Sequence, residues 1–290
     1  MKKDITALFC FVDDFVKFSD KWISNSYLPI SRKLTRTPEI SYSEILTIVL
    51  LYHRSPCKNF KYFYISYLQL YKAEFRMIPS YNRFIALKAR VLSYLVLLLE
   101  WYFTQAETTG ISYIDATSLA VCHPKRISRN KTFAGLAALG KTTKGWFFGL
   151  KLHLLINENG EIQNLKLTKG NVDDRMPVPA MTKSITGLLF GDKGYIKQDL
   201  FNELHQRGLK LVTGIKKGMK NNLIPIFEKI LLRKRSIIET VFSVLKYSFE
   251  LEHTRHRSIW NAFVHILSTL VAYCMKPTKP AITKSYLIQN

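Results

Sequence analysis

Residues 147–168 read Phe147-Phe-Gly-Leu-Lys-Leu-His-Leu-Leu-Ile-Asn-Glu-Asn-Gly-Glu-Ile-Gln-Asn-Leu-Lys-Leu-Thr168, and this stretch decides the class of fold. Phe148, Leu150, Leu152 and Leu154 alternate with Gly149, Lys151 and His153, the period of two expected of a half-buried strand. Asn159-Gly160 supplies a tight turn, and Ile162 to Thr168 forms the returning strand. A β-hairpin is therefore predicted at the centre of the chain.

The flanks of the hairpin alternate between strand and helix signals. Upstream, Ser112 to Thr117 is a short β-prone run, joined to the hairpin by a basic, Gly-containing connection that includes Lys125, Arg126, Arg129, Gly135 and Gly140. Downstream, a helix is predicted over 175–182, a buried strand over 187–190, a helix over 197–206 closed by Gly208, and a strand over 209–215. Two helices follow, over 236–247 and 259–275. This layout is a mixed α/β sheet with helices on both faces.

The first hundred residues are helical in pattern. Ile5, Leu8, Val12, Phe15 and Val16 recur at helical spacing, and Ser41-Tyr42-Ser43-Glu44 is a capping box opening the run from Ile45 to Tyr52. Ser80 can cap a further helix carrying Arg83, Lys88 and Arg90 on its polar side. A helix-turn-helix and a plain helical bundle with solvated basic residues both satisfy this pattern. The expected organisation is a helical domain over 1–108, an α/β domain over 109–278 and a tail over 279–290.

The chain of 290 residues carries 43 Lys+Arg against 21 Asp+Glu, a formal net charge of +22, and is 47% hydrophobic. Intrinsic disorder is excluded by that apolar content, and so strong a self-repulsion implies a polyanionic partner. The excess is uneven, +6 over residues 1–110 and +16 over 111–290. Four scattered cysteines form no Cys-x-x-Cys pair, which suits free thiols in a reducing compartment. His253 and His256 lack cysteines nearby and read as surface histidines rather than metal ligands. The opening residues do not resemble a signal peptide, and the apolar runs 91–99 and 259–275 are too short or too polar to span a bilayer.

Three carboxylates stand out by context. Asp115 lies at the end of the first strand, with Thr117 on the same face, and Asp192 lies just past a strand in Gly191-Asp192-Lys193-Gly194-Tyr195. Ligand sites in such sheets gather at the carboxyl ends of strands, although an Asp beside Gly is also an ordinary turn former. In the segment 235–246, helical geometry puts Arg235 about 40° and Lys246 about 20° from Glu239, while Ile238, Val241, Phe242 and Leu245 form a seating stripe. That charged face suits either a site or a solvated salt-bridge surface.

Taken in order, Asp115-x-Thr117, Gly191-Asp192-Lys193-Gly194-Tyr195 and Arg235-(three)-Glu239-(six)-Lys246 resemble the three-carboxylate DDE transposases of bacterial insertion sequences, in the insertion-sequence-four-like branch. Lys151-x-His153 and Gly170-Asn171-Val172-Asp173-Asp174 are also similar to that family, so the resemblance covers roughly residues 111–275. The family pattern has a tyrosine three positions before the arginine, where this chain has Leu232.

The resemblance implies a ribonuclease-H-like catalytic domain preceded by a helical DNA-end-binding domain. It implies that Asp115, Asp192 and Glu239 are catalytic and bind two Mg²⁺ ions, with Mn²⁺ as a substitute. Arg235, Lys246, Lys193, Lys151, Arg255 and Arg257 are the residues expected to bind DNA. Partners would be the element's terminal repeats and a target duplex, held by a homodimer without membrane association, in the cytoplasm on the nucleoid. A non-catalytic DNA-binding protein and a stand-alone nuclease on the same fold are the alternatives.

Overall fold

The computed structural model describes residues 4–26, 39–143, 145–216, 218–219, 224–252 and 256–282. In chain order its elements are α1 (Ile5–Ser26), α2 (Tyr42–Arg54), the single turn α3 (Phe60–Tyr62), α4 (Tyr81–Lys88), α5 (Leu92–Gln105), β1 (Ile111–Cys122), β2 (Ala138–Thr142), β3 (Gly145–Asn157), β4 (Ile162–Lys169), α6 (Val178–Met181), β5 (Gly187–Gly191), α7 (Gln198–Gln206), β6 (Leu209–Thr213), α8 (Ile226–Arg233), α9 (Ser236–Ser243) and α10 (Ile259–Cys274). The described residues fall into two compact units. One takes in the chain up to Trp101 with Phe249–Leu251 and Arg257–Met275; the other takes in the remainder.

The first unit is helical, as its periodicity predicts. The capping box at Ser41 is present: Ser41 Oγ accepts from Glu44 N–H at 3.1 Å, and Glu44 accepts in return from Ser41 N–H at 2.7 Å. Helix α2 is buried almost all round, with Leu46, Ile48 and Leu50 wholly excluded from solvent, and α1 and α10 pack against it. The apolar sequence of α10 is thereby spent on the helical core, so residues 257–275 group with the first unit rather than with the α/β domain expected to run to 278. Among the described residues no helix is long and apolar enough to cross a membrane.

Lys88 departs from its expected place on the polar side of α4. It is buried, with Nζ 4.5 Å from the centroid of the Phe60 ring. Phe84, Leu87, Lys88 and Val91 follow the i, i+3, i+4, i+7 spacing of one face, so the lysine lies within the core stripe. Burial lowers its pKa to about 8. His53, at the end of α2, is buried as well; its Nδ1–H donates to Phe249 O at 3.2 Å and its Nε2 accepts from Ser268 Oγ at 2.8 Å. His265 Nε2–H donates to Glu250 O at 2.8 Å.

The second unit is built on one six-stranded sheet. β1 pairs antiparallel with β3 and parallel with β5, and β5 pairs parallel with β6. The far edge of β3 is shared, β2 pairing with its first half and β4 with its second. Reading across, β4-β3-β1-β5-β6 is the mixed order of a ribonuclease-H-like fold. The predicted hairpin is β3–β4, and Gly160 at its turn takes φ +70°, a conformation costly for a residue with a Cβ. β3 is buried on both faces, with His153 at 0% exposure, rather than half-buried. Of its polar alternates His153 is wholly enclosed, its Nε2 bonded to Thr168 Oγ1 at 2.8 Å, and Lys151 is partly buried.

Several elements differ from expectation in length. β1 runs on to Cys122 because β3 pairs with it throughout, and the 175–182 helix contracts to the four residues of α6. No element is expected over 138–142 or 226–233, yet the first becomes strand β2 by pairing with β3, and the second, a short segment whose apolar residues do follow helical spacing, becomes helix α8. Alternate residues of the central strands face opposite layers. Ile114, Leu189 and Leu211 join α6 and α7 residues in one core cluster, while Tyr113 and Phe190 stack at 5.3 Å on the other face. There the Tyr113 hydroxyl donates to Leu231 O of α8 at 3.4 Å, and α9 packs on β1 through the predicted stripe, with Ile238, Val241 and Leu245 wholly buried.

Candidate active site

The register of the parallel pair β1/β5 places two of the three carboxylates. The last paired residues are Tyr113 and Phe190. Asp115 and Asp192 each follow two positions later, so they stand at the same level and, side chains alternating, on the face of Tyr113 and Phe190. That face is the one α9 covers. Beyond Tyr113, β1 continues with a partner on the β3 side alone, which opens the β5 side of the strand beside Asp115. Asp115 thus lies at the end of the parallel ladder but in the middle of its strand.

Glu239 reaches the same place from α9. Arg235 Nη2 bonds Glu239 Oε1 at 2.8 Å, and its Nη1 lies 3.6 Å from Asp115 Oδ2. The helical spacing of four residues produces the first contact, and the packing of α9 on β1 produces the second. Asp115 is held at a pKa of about 6. Burial is the main cause, Glu239 and Asp192 add repulsion, and the Ala116 N–H and Arg235 pull in the opposite direction. Asp115 therefore lies within electrostatic reach of both other acids. Tyr195 is buried, and its hydroxyl has no hydrogen-bond partner among the described residues; burial raises its pKa, with Asp115 and Asp174 adding to the effect.

The donor set suits a hard divalent cation, since such ions are bound through carboxylate oxygens. Among the described residues no three His, Cys, Asp or Glu are already gathered around one point. The cation standing between Asp115 and Glu239 is the guanidinium of Arg235.

The predicted DNA-binding residues are placed differently from one another. Lys193 is exposed on the turn after Asp192, where its side chain lies against Gly214. Arg257 is exposed, in the first unit. Arg255 lies outside the described residues. Lys151 and Lys246 are engaged internally: Lys151 Nζ donates to Val172 O at 2.9 Å and pairs with Asp174 at 2.8 Å, pinning the 170–174 turn. Lys246, in a π-helical turn that extends α9, donates to Ser118 O at 2.8 Å and pairs with Glu252 at 3.2 Å. Glu252 also accepts from Ala120 N–H at 3.1 Å. Nothing in the local sequence marks Glu252, because its role depends on a strand more than a hundred residues away. A separate cavity of about 520 Å³ between α7, β6 and α8 contains none of the three acids.

No curated protein matches the chain. Among solved structures, the chain is similar to the piggyBac transposase synaptic complex with hairpin DNA, at 11% identity over 93% of this chain and 74% of that one, with a TM-score of 0.49. It is also similar to the Mos1 strand transfer complex, at 11% identity over 89% and 84%, with a TM-score of 0.26. Residues 105–259, just over half of the chain, match the family described as the transposase DDE domain, and they contain β1 with Asp115, β5 with Asp192 and α9 with Glu239. With that match and the strand order together, the chain belongs to the DDE-domain transposases, enzymes that cut and transfer DNA strands.

Proposed function

We propose that Asp115, Asp192 and Glu239 are the three catalytic carboxylates and that they hold two Mg²⁺ ions, for which Mn²⁺ substitutes. The observation that carries this reading is the register, which sets Asp115 and Asp192 level beside an Arg235–Glu239 pair on one face. Bound there, divalent ions supply Lewis-acid stabilisation to the attacking and leaving oxygens of an in-line displacement at phosphorus. No side-chain nucleophile is required. Arg235 has a planar fork that suits a phosphate as well as a carboxylate, and Lys193 adds positive charge at the mouth. Lys151 and Lys246 act by positioning, holding the 170–174 turn and β1 in place.

The partner is duplex DNA, the ends of an insertion-sequence element and a target, engaged by a homodimer on the nucleoid. The net charge of +22 supports this, as do the exposed Lys125, Arg126 and Arg129. The first unit recognises the ends and the second performs the chemistry.

One assay tests the reading: purified protein, Mg²⁺, labelled element-end DNA and a target plasmid. Joined product is expected. Cleavage without joining would identify a stand-alone nuclease, and binding alone would identify a non-catalytic copy, the reading that Leu232 favours. Asp115→Ala, Asp192→Ala and Glu239→Ala are each expected to abolish cleavage while DNA binding persists, and cleavage retained in any one of them removes that residue from the site.

A further inference from the structure

Helix α4 presents a face that its core contacts leave unused. Phe84, Leu87 and Lys88 turn inward, and Ser80 caps the start by accepting from Arg83 N–H at 3.4 Å. Asn82, Arg83 and Ala86 are exposed, and Arg90 is exposed one turn further on. Asn82 and Ala86 lie about 40° apart and Arg83 about 100° from Asn82, so the three share a single arc of the helix. No acid interrupts it. The start of α10 is fastened beside this face, because Asn261 Nδ2–H donates to Ile85 O at 3.2 Å. Two residues near Asn261 in the chain are exposed, Arg257 and Trp260, the latter at 61%.

The chemistry of that arc matches base edges. An arginine fork pairs with the two major-groove acceptors of guanine, and an asparagine amide pairs with the donor and acceptor of adenine. Ala86 between them keeps the helix slim enough to enter the groove. Arginines to either side supply the phosphate contacts that fix register, and an exposed tryptophan beside an arginine can pack on the sugar–phosphate edge. We infer that the exposed face of α4 is the sequence-reading element of this protein, lying in the major groove of duplex DNA with Asn82 and Arg83 on base edges and Arg90, Arg257 and Trp260 on the backbone. This rests on the transposase reading, and it names the residues that select the DNA.

The test uses the full chain in EDTA with a pool of randomised 30-base-pair duplexes. Wild type is expected to select a motif. Asn82→Ala and Arg83→Lys should each relax one or two positions of that motif and weaken binding of the selected duplex about 10–100-fold, the range of one bidentate base contact. Their affinity for unselected duplex should stay within about threefold of wild type, a result that misfolding would not produce. Trp260→Ala should weaken selected and unselected duplex alike. Variants that select the wild-type motif with wild-type affinity would overturn the inference, as would preferential selection of RNA through the same residues. Nicking of supercoiled plasmid in Mg²⁺ by the same proteins separates the two readings. Nicking with an unchanged motif refutes the role of α4 alone, whereas a motif lost in the variants without nicking by wild type refutes the catalytic assignment alone.

Discussion

His53 in the first unit and Asp115 in the second are both shielded ionisable groups moved far from their ordinary pKa, and burial is the main cause for each. Their partners differ. Both ring nitrogens of His53 are satisfied, by Phe249 O and Ser268 Oγ, and nothing is left over for a ligand. Asp115 faces two other acids and a single arginine, with one oxygen bonded to its neighbouring Ala116 N–H at 2.8 Å. A displaced pKa therefore separates solvent from interior, and it is the leftover bonding capacity that separates a site from a core.

Mutations should divide along the same line. The largest expected effect is on Asp192→Ala, which should lose strand cleavage by on the order of a thousandfold or more while its melting temperature stays near that of wild type. A comparable loss of thermal stability would make Asp192 a structural residue. His53→Ala should behave in the opposite sense. It removes the ring bonded to Phe249 O and to the Ser268 hydroxyl, which keeps its bond to His265 O at 3.0 Å, and opens a cavity, costing about 3 kcal/mol in urea unfolding, while cleavage per folded molecule is kept. An unchanged urea midpoint would break the contrast.

The pH dependence of stability sharpens it. His53 is pushed down to about 3, so between pH 6.5 and 3 the unfolded chain binds a proton that the native state refuses. Stability contributed by the neutral ring is complete above pH 6.5 and is lost as pH falls through that window. The slope in wild type should be steeper than in His53→Gln, and parallel curves would remove His53 from the account. The smallest effect is expected at Lys88, whose pKa burial lowers to about 8. Both states are charged below pH 8, so the folded state bears the full cost of burying the ammonium there, and the cost fades as pH rises from 8 to 10.5. Lys88→Met should therefore stabilise the protein by about 2 kcal/mol at pH 7, with the gain shrinking across that range. A gain independent of pH would trace to packing instead.

How much of this was legible in the sequence depended on whether the deciding contact was local. The capping box at Ser41, the turn at Asn159-Gly160 and the stripe Ile238, Val241, Phe242 and Leu245 are set by neighbours within a turn or two, and each stands where its pattern predicts. The hidden features depend on distant partners. Ala138–Thr142 becomes a strand because Gly145–Gly149 pairs with it, and β1 extends past Thr117 because β3 runs alongside. Lys88 differs for another reason, since its charge argues for the surface while its spacing with Phe84, Leu87 and Val91 belongs to the core. For the site, the residue types and their order could be read from the chain, and so could the Arg235–Glu239 contact. The engagement of Lys246 by Ser118 and Glu252 could not, because it joins segments far apart in sequence.

The shared end of the β1/β5 ladder has one more consequence. Two carboxylates placed two steps beyond paired residues depend on the parity of each strand and hardly at all on strand length. Inserting one residue between Phe190 and Asp192 would send that side chain through the sheet to the layer of Ile114 and Leu189, whereas inserting two would return it to the side of Glu239. Small insertions and deletions at this rim should thus be tolerated in even numbers and inactivating in odd ones, a counting rule imposed by the pleat itself.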